Sequence, residues 1–248
     1  MADLPEFLGS AEPPCRWLRT IVANRGTDTE LGANTAPLAP RLEVRGLECV
    51  RADSLVFSAL SFTVQGGEIL QILGANGSGK TSLLRILSGL SQPTEGEFSW
   101  RGKGTAKDLQ AWQRELLYVG HVAGVTATLS VSENLRYALA LSGRCARLSL
   151  PEAIARVGLP GYAAVLAGRL SAGQRQRVAL ARLLLIPAAV WLLDEPLTAL
   201  DPSGKILLEA MLRQHAQVGG LALVVTHQTL DIPAPYLRSL QLVSPEPL

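Results

Sequence analysis

The octapeptide Gly74-Ala75-Asn76-Gly77-Ser78-Gly79-Lys80-Thr81 fits G-x-x-x-x-G-K-[ST] at every position. The apolar run Ile69-Leu70-Gln71-Ile72-Leu73 before it reads as a buried strand. Ser82-Leu83-Leu84-Arg85-Ile86-Leu87 after it reads as a helix. Strand, glycine-rich loop and helix in that order aim several backbone N–H groups and the positive end of a helix at one point. A chain of phosphates suits that point. Lys80 would place a charge at the β- and γ-phosphates, and the Thr81 hydroxyl would ligate Mg²⁺. The competing reading is a glycine-rich turn that merely precedes a helix, and the strand in front of the loop argues against it.

The rest of the chain agrees with an α/β fold. Of 248 residues, 48% are apolar and only 5% aromatic, which suits helices packed on a parallel sheet better than an all-β sandwich. A net charge of +2 gives no electrostatic reason to expect a nucleic-acid partner. Cys15, Cys49 and Cys145 lie far apart, with neither metal-binding spacing nor a C-x-x-C-H haem-attachment motif. Reduced thiols and a cytoplasmic setting follow, and no direct haem ligation is expected. The longest apolar stretch, Val178 to Leu193, is broken by Arg182 and Pro187, so no membrane span is expected.

Residues 1–40, rich in Pro, Ala, Gly, Thr and Asn, have no sustained period and are expected to be a disordered extension. The short segment Trp17–Val22 is the one part of it that could touch a partner. A globular domain is expected over 41–248. Leu42–Val44 and Leu60–Val64 alternate as strands do, and Gln65–Glu68 and Pro93–Gly96 read as turns. Lys107 to about Leu116 has helical spacing, and Leu117–Val119 is a brief strand. Ser130-Val131-Ser132-Glu133 and Ser149-Leu150-Pro151-Glu152 each open a helix. A mostly helical subdomain is therefore expected at about 110–170. Beyond it come a helix over Gln174–Leu185, a strand over Ala189–Leu193, a helix over Gly204–Gln217 and a strand over Leu221–Thr226.

Two further segments complete a nucleotide site. Val190-Trp191-Leu192-Leu193 ends in Asp194-Glu195, so a buried strand delivers carboxylates to the edge where α/β ligands bind. Asp194 would hold Mg²⁺, and Glu195, pointing elsewhere, would orient or deprotonate water. Leu170-Ser171-Ala172-Gly173-Gln174 starts the long helix with small residues that expose N–H groups, a second anion cradle. One γ-phosphate needs only one cradle from its own chain, so the second suggests the nucleotide of another molecule.

With these motifs, the chain from Arg41 onward resembles the nucleotide-binding subunits of ABC transporters, with Thr198-Ala199-Leu200-Asp201 and His227 as further shared pieces. The resemblance implies an ABC-type P-loop NTPase with a mixed or parallel sheet core and a helical subdomain. It also implies a head-to-tail homodimer that buries two ATP molecules. Ser171, Gly173 and Gln174 would then face the partner's γ-phosphate, His227 would contact the γ-phosphate and Glu195, and Asp201 would link the halves.

Within that family the chain is similar to the ATPase subunits for cytochrome c maturation. It shares Gly120-His121 where other members carry a Gln, Leu55 to Phe62, Ala172 in the signature, Val178 to Leu183, and Thr226-His227-Gln228. It departs from them at Val122, where they carry Gln. Arg51 falls where many relatives stack adenine on an aromatic ring, and its planar guanidinium would cover the base instead. The implied partners are membrane-spanning permease subunits of the CcmB and CcmC type, contacted through the helical insert. The implied location is the cytoplasmic face of a bacterial inner membrane. Rival assignments are an ABC subunit for another cargo and a soluble ABC-type ATPase acting on nucleic acid or ribosomes.

Overall fold

The structure, a computed structural model, describes residues 40–243. The expectation of a disordered extension falls outside them, apart from Pro40, as does the segment Trp17–Val22. Chain order begins with a hairpin of β1 (Arg41–Arg51) and β2 (Ser54–Gln65). Ala52 and Asp53 turn it with φ of 46° and 60°, the paired positive values of a tight two-residue turn. β1 pairs on its other side with β4 (Glu95–Trp100), which pairs with β5 (Lys103–Gly104), giving an antiparallel sheet ordered β2-β1-β4-β5.

The second sheet is parallel throughout, with order β6-β7-β8-β3-β9. Its strands are β3 (Ile69–Leu73), β6 (Leu116–Val119), β7 (Val190–Asp194), β8 (Leu221–Val225) and β9 (Leu237–Gln241). β7 and β8 are buried at every residue, as a sheet covered on both faces requires. α1 (Lys80–Leu87) and the antiparallel sheet cover one face, where Leu83, Leu84 and Leu87 meet Ile72, Leu192 and Leu223. α5 (Ala172–Leu185) and α6 (Pro202–Gln217) cover the other, with Leu180, Leu208 and Met211 against Trp191, Leu193 and Val224.

The helix starts expected from sequence are where the caps stand. Ser130 and Glu133 form a complete capping box at α3 (Val131–Ser142), and Ser149 caps α4 (Leu150–Arg156) by accepting from the Glu152 N–H. Such caps contribute about 1 kcal/mol each. α3 and α4 pack on α5 through Val131, Leu135, Ala153, Ile154 and Val178. Buried Asn134 braces the loop before α3, accepting from the Thr126 N–H and donating to the Thr126, Leu129 and Ser130 carbonyls.

Some boundaries differ from the sequence reading. The helical run expected from Lys107 is a 3-10 turn at Thr105–Lys107 followed by a short α2 (Leu109–Gln113). Residues 116–119 form β6 on β7, inside the parallel sheet. The strand β4 starts at Glu95, within the expected turn, because Thr94 is already held across the sheet. Its hydroxyl accepts from the Val50 N–H and its own N–H donates to the Glu48 carbonyl. β9 has no counterpart among the expected strands, since Leu237-Arg238-Ser239-Leu240-Gln241 is too polar to read as sheet, yet β3 supplies its ladder.

His215 in α6 is fully enclosed and stacks flat on Trp191 at 3.9 Å, with a ring nitrogen 3.1 Å from the Leu221 carbonyl. Burial and the nearby positive Arg147 lower its pKa to about 3. Unfolded, it would titrate near its usual value of about 6.5. The folded state therefore excludes a proton that the unfolded state accepts, and stability is lost as pH falls below that usual value toward the folded one. His215→Phe keeps the stack and removes the titration. Between about pH 7 and pH 5 the Tm of the wild type should fall more steeply than that of this variant, measured by calorimetry.

Candidate active site

The carboxyl ends of β3, β7 and β8 open onto a cleft of about 640 Å³, where open α/β sheets bind ligands. Arg51, Asn76, Gly77, Gly79, Lys80, Thr81, His121, Asp194, Glu195 and His227 all contribute to its wall. The predicted loop, both acids and both histidines thus converge from segments far apart in the chain.

The loop leaves β3 at Gly74 and feeds α1 through Gly79, which caps that helix with φ of 90°. A Cβ there would run into Val56 and lie 2.9 Å from the Phe57 ring, so only glycine fits. Lys80, 7% exposed, donates to the Gly74 and Ala75 carbonyls at 2.8 and 2.7 Å. Its ammonium is thereby held over the loop. Ser78 is buried beside it and its hydroxyl has no partner among the described residues.

Thr81 donates to Asp194 Oδ1 at 3.2 Å. Asp194 is 1% exposed, and burial raises its carboxyl above the ordinary range, with Thr81, His121 and Lys80 pulling it back. Its Oδ2 has no hydrogen-bond partner among the described residues. A hydroxyl and a buried carboxylate with a free oxygen suit a hard cation. Among the described residues no three His, Cys, Asp or Glu side chains form a cage. A hydroxyl and a carboxylate are oxygen donors of the kind Mg²⁺ takes beside waters and substrate phosphates.

Glu195 follows Asp194 but turns away from it. Its φ is 50°, rare for a side chain of this size, and its N–H is fixed on the Val225 carbonyl at 2.8 Å. The turn carries its carboxylate toward β8, where Oε1 stands 3.3 Å from His227 Nε2 without hydrogen-bond alignment. His121 reaches the cleft from the end of β6, whereas Val122 is 80% exposed and contributes nothing to the wall. The departure from the cytochrome c maturation pattern at 122 therefore falls outside the cleft. Arg51 lies in the wall and donates to Ser91 Oγ at 3.4 Å; none of the described residues that line the cleft is Phe, Tyr or Trp.

Ser171, Gly173 and Gln174 are not brought into this cleft. They form the exposed N-terminus of α5, where Ser171 and Gln174 cap each other reciprocally. The N–H groups of Ala172 and Gly173 are left without an intrahelical partner. A Cβ on Gly173 would stand 2.6 Å from the Ala199 carbonyl, so the cradle is pressed against the segment after Glu195. Gln176 donates to the Pro196 carbonyl and Arg177 donates to Asp201 and Ser203 at 2.5 and 2.7 Å. Asp201 caps α6, and its bonds from Ser203 and Arg177 lower its pKa to about 2. Sequence reasoning gave neither Arg177 nor Arg182 a role in the site. Arg182 holds the loop after His121 by donating to the Ala123 and Gly124 carbonyls.

The profile of the ABC transporter family matches residues 57–198, a span holding the loop, the signature and both acids. The chain belongs to the ABC transporter family. Among curated relatives of this ABC chain, a Methylococcus capsulatus protein is 51% identical over 188 residues, 75% of this chain and 91% of that one. One from Tatumella citrea is 45% identical over 203 residues, covering 82% and 96%. Both are named cytochrome c biogenesis ATP-binding export protein CcmA. Among solved structures, a putative ABC transporter ATP-binding protein from Pyrococcus furiosus superposes with a TM-score of 0.68 at 25% identity, covering 81% of this chain and 97% of its own. A dimeric ATP-binding cassette in a post-hydrolysis state with ADP and Pi gives 0.66 at 26% identity, covering 75% and 88%. As an ABC ATPase domain, the chain binds ATP.

Gly79→Ala should weaken ATP binding by about tenfold or more and lower the Tm, because the added methyl displaces the β2 residues behind the loop. Titration with a fluorescent ATP analogue checks it.

Proposed function

We propose that the chain is the ATP-hydrolysing subunit of a membrane ABC transporter for cytochrome c maturation, coupling hydrolysis to haem export or release of a haem-loaded chaperone. The observation that carries the ATPase part is the convergence of Lys80, Thr81, Asp194, Glu195 and His227 on one cleft. The names of relatives 51% and 45% identical support the cargo.

In this reading the N–H groups of Ala75 to Thr81 cradle the phosphates, and Lys80 exchanges loop carbonyls for phosphate oxygens. Thr81 and Asp194 would hold Mg²⁺, which would supply positive charge against the phosphates. Arg51 covers the base. Glu195 takes a proton from the attacking water, and His227 contacts the γ-phosphate and steadies Glu195. ATP and water leave as ADP and phosphate.

The cleft holds the phosphate loop but not the Ser171–Gln174 cradle, which stands at the N-terminus of α5. A second copy, head to tail, would place its Ser171, Gly173 and Gln174 at the cleft. The dimeric cassette among the structural neighbours supports that assembly.

No helix among the described residues is long and apolar enough to cross a membrane, so spanning work would fall to permease subunits of the CcmB and CcmC type. A groove of about 700 Å³ between β6 and α3, with Leu90, Leu117, Ala138 and Leu141 in its wall, is where they would dock. Exposed Tyr137 and Leu141 extend its apolar rim. The ATPase would then sit peripherally on the cytoplasmic face of the inner membrane.

Glu195→Gln should retain ATP, persist as a dimer in light scattering and lose at least about a hundredfold in turnover. Undiminished hydrolysis would remove Glu195 from its role. A tagged chain should bring down CcmB- and CcmC-type subunits from solubilised membranes; recovery of unrelated permeases instead would overturn the assigned cargo.

A further inference from the structure

β3 carries one polar residue in five, Gln71, and that residue is 4% exposed. It shares a strand face with Ile69, which packs in the layer of Trp191, Leu193, Ala222 and Val224. A primary amide in an apolar layer is costly unless it is hydrogen-bonded. Gln71 Nε2 donates to the Gln228 carbonyl at 2.9 Å, 157 residues along the chain.

Gln228 directly follows His227. Its N–H is taken by Thr226 Oγ1 at 3.1 Å, so residue 228 is gripped at both its N–H and its carbonyl. Three residues on, the Asp231 N–H donates to buried Glu209 at 2.8 Å. The His227 side chain itself is 52% exposed, and its near neighbour is Glu195 at 3.3 Å without hydrogen-bond alignment. Side-chain packing therefore does little to place the imidazole; the backbone on either side of it does.

The β3–β8 ladder ends at Ile72 opposite Val225. The Gln71 amide extends the registration beyond the end of that ladder to the His227 segment, from the strand that enters the phosphate loop three residues later.

We propose that Gln71 is a positioning residue that sets the His227 imidazole relative to the γ-phosphate. It fixes the distance between loop and histidine through one hydrogen bond to the carbonyl of Gln228, the residue after the histidine. The inference rests on the proposed role of His227.

Gln71→Met keeps length and apolar bulk but removes the donor. In the purified full chain, kcat should fall about tenfold while KM for ATP moves by less than about twofold, the pattern of a misplaced transition-state contact. In a His227→Ala background the same replacement should cause no further loss. Amide exchange at Gln228 and Thr229 should quicken in Gln71→Met. Gln71→Leu supplies a second donor-free replacement should Met fail to fold.

An unchanged kcat in Gln71→Met, with His227→Ala impaired, would overturn the inference and leave the nucleotide reading standing. Equal losses in both backgrounds would show a merely structural amide and also overturn it. Full turnover in His227→Ala would sink the role of the histidine and this inference together.

Discussion

Thr81 and Asp194 are 113 residues apart in the chain and meet through a hydrogen bond of 3.2 Å at the floor of the cleft. Each comes from one half of the nucleotide site: Thr81 from the first turn of the helix after the phosphate loop, Asp194 from the end of a strand buried on both faces. The strand can carry a carboxylate into that depth because β7 is otherwise apolar and fully laddered between β6 and β8. Burial alone would favour the protonated acid. The Thr81 hydroxyl, His121 and Lys80 offset only part of that cost, and the carboxyl stays above its ordinary range. Without this hydrogen bond, the loop and the acids would be two unrelated features of one chain.

Around that bond the protein keeps its two anion cradles apart. The phosphate loop lines the cleft, whereas the signature faces outward from α5. What joins them is the segment from Pro196 to Ser203, gripped by Gln176 and Arg177 and passing within reach of Gly173. Glu195 and the signature are thus joined through one short, pinned segment. Arg182 links the same helix to the loop after His121, at the edge of the groove assigned to the membrane partner. α5 thus touches each surface at which this subunit would exchange force.

Much of the site is legible as local pattern. The loop, Asp194-Glu195 and the helix starts at Ser130 and Ser149 are short-range motifs whose physics is complete within a few residues, and each stands where its spacing puts it. β9 and β4 are illegible for the opposite reason. Their residues alternate weakly or carry charge, and they are strands because β3 and β1 offer them a ladder. Arg177, Arg182 and Gln71 act by donating to backbone or carboxylate oxygens between 20 and 157 residues away, and nothing adjacent to them in sequence marks such a partner.

The sequence by itself determined which groups are on offer: a glycine-rich phosphate loop, two successive acids at the end of an apolar strand and a second helix start built of small residues. Those depend on residue type and short spacing, so the chain order suffices. Tertiary structure alone decided which of them share a cleft. Glu195 and His227 come within 3.3 Å because β7 and β8 lie side by side in a parallel sheet and Glu195 adopts a positive φ at its end. The same packing turned the signature away from its own loop, because the capping of α5 and its seat on Ala199 leave its first turn facing solvent.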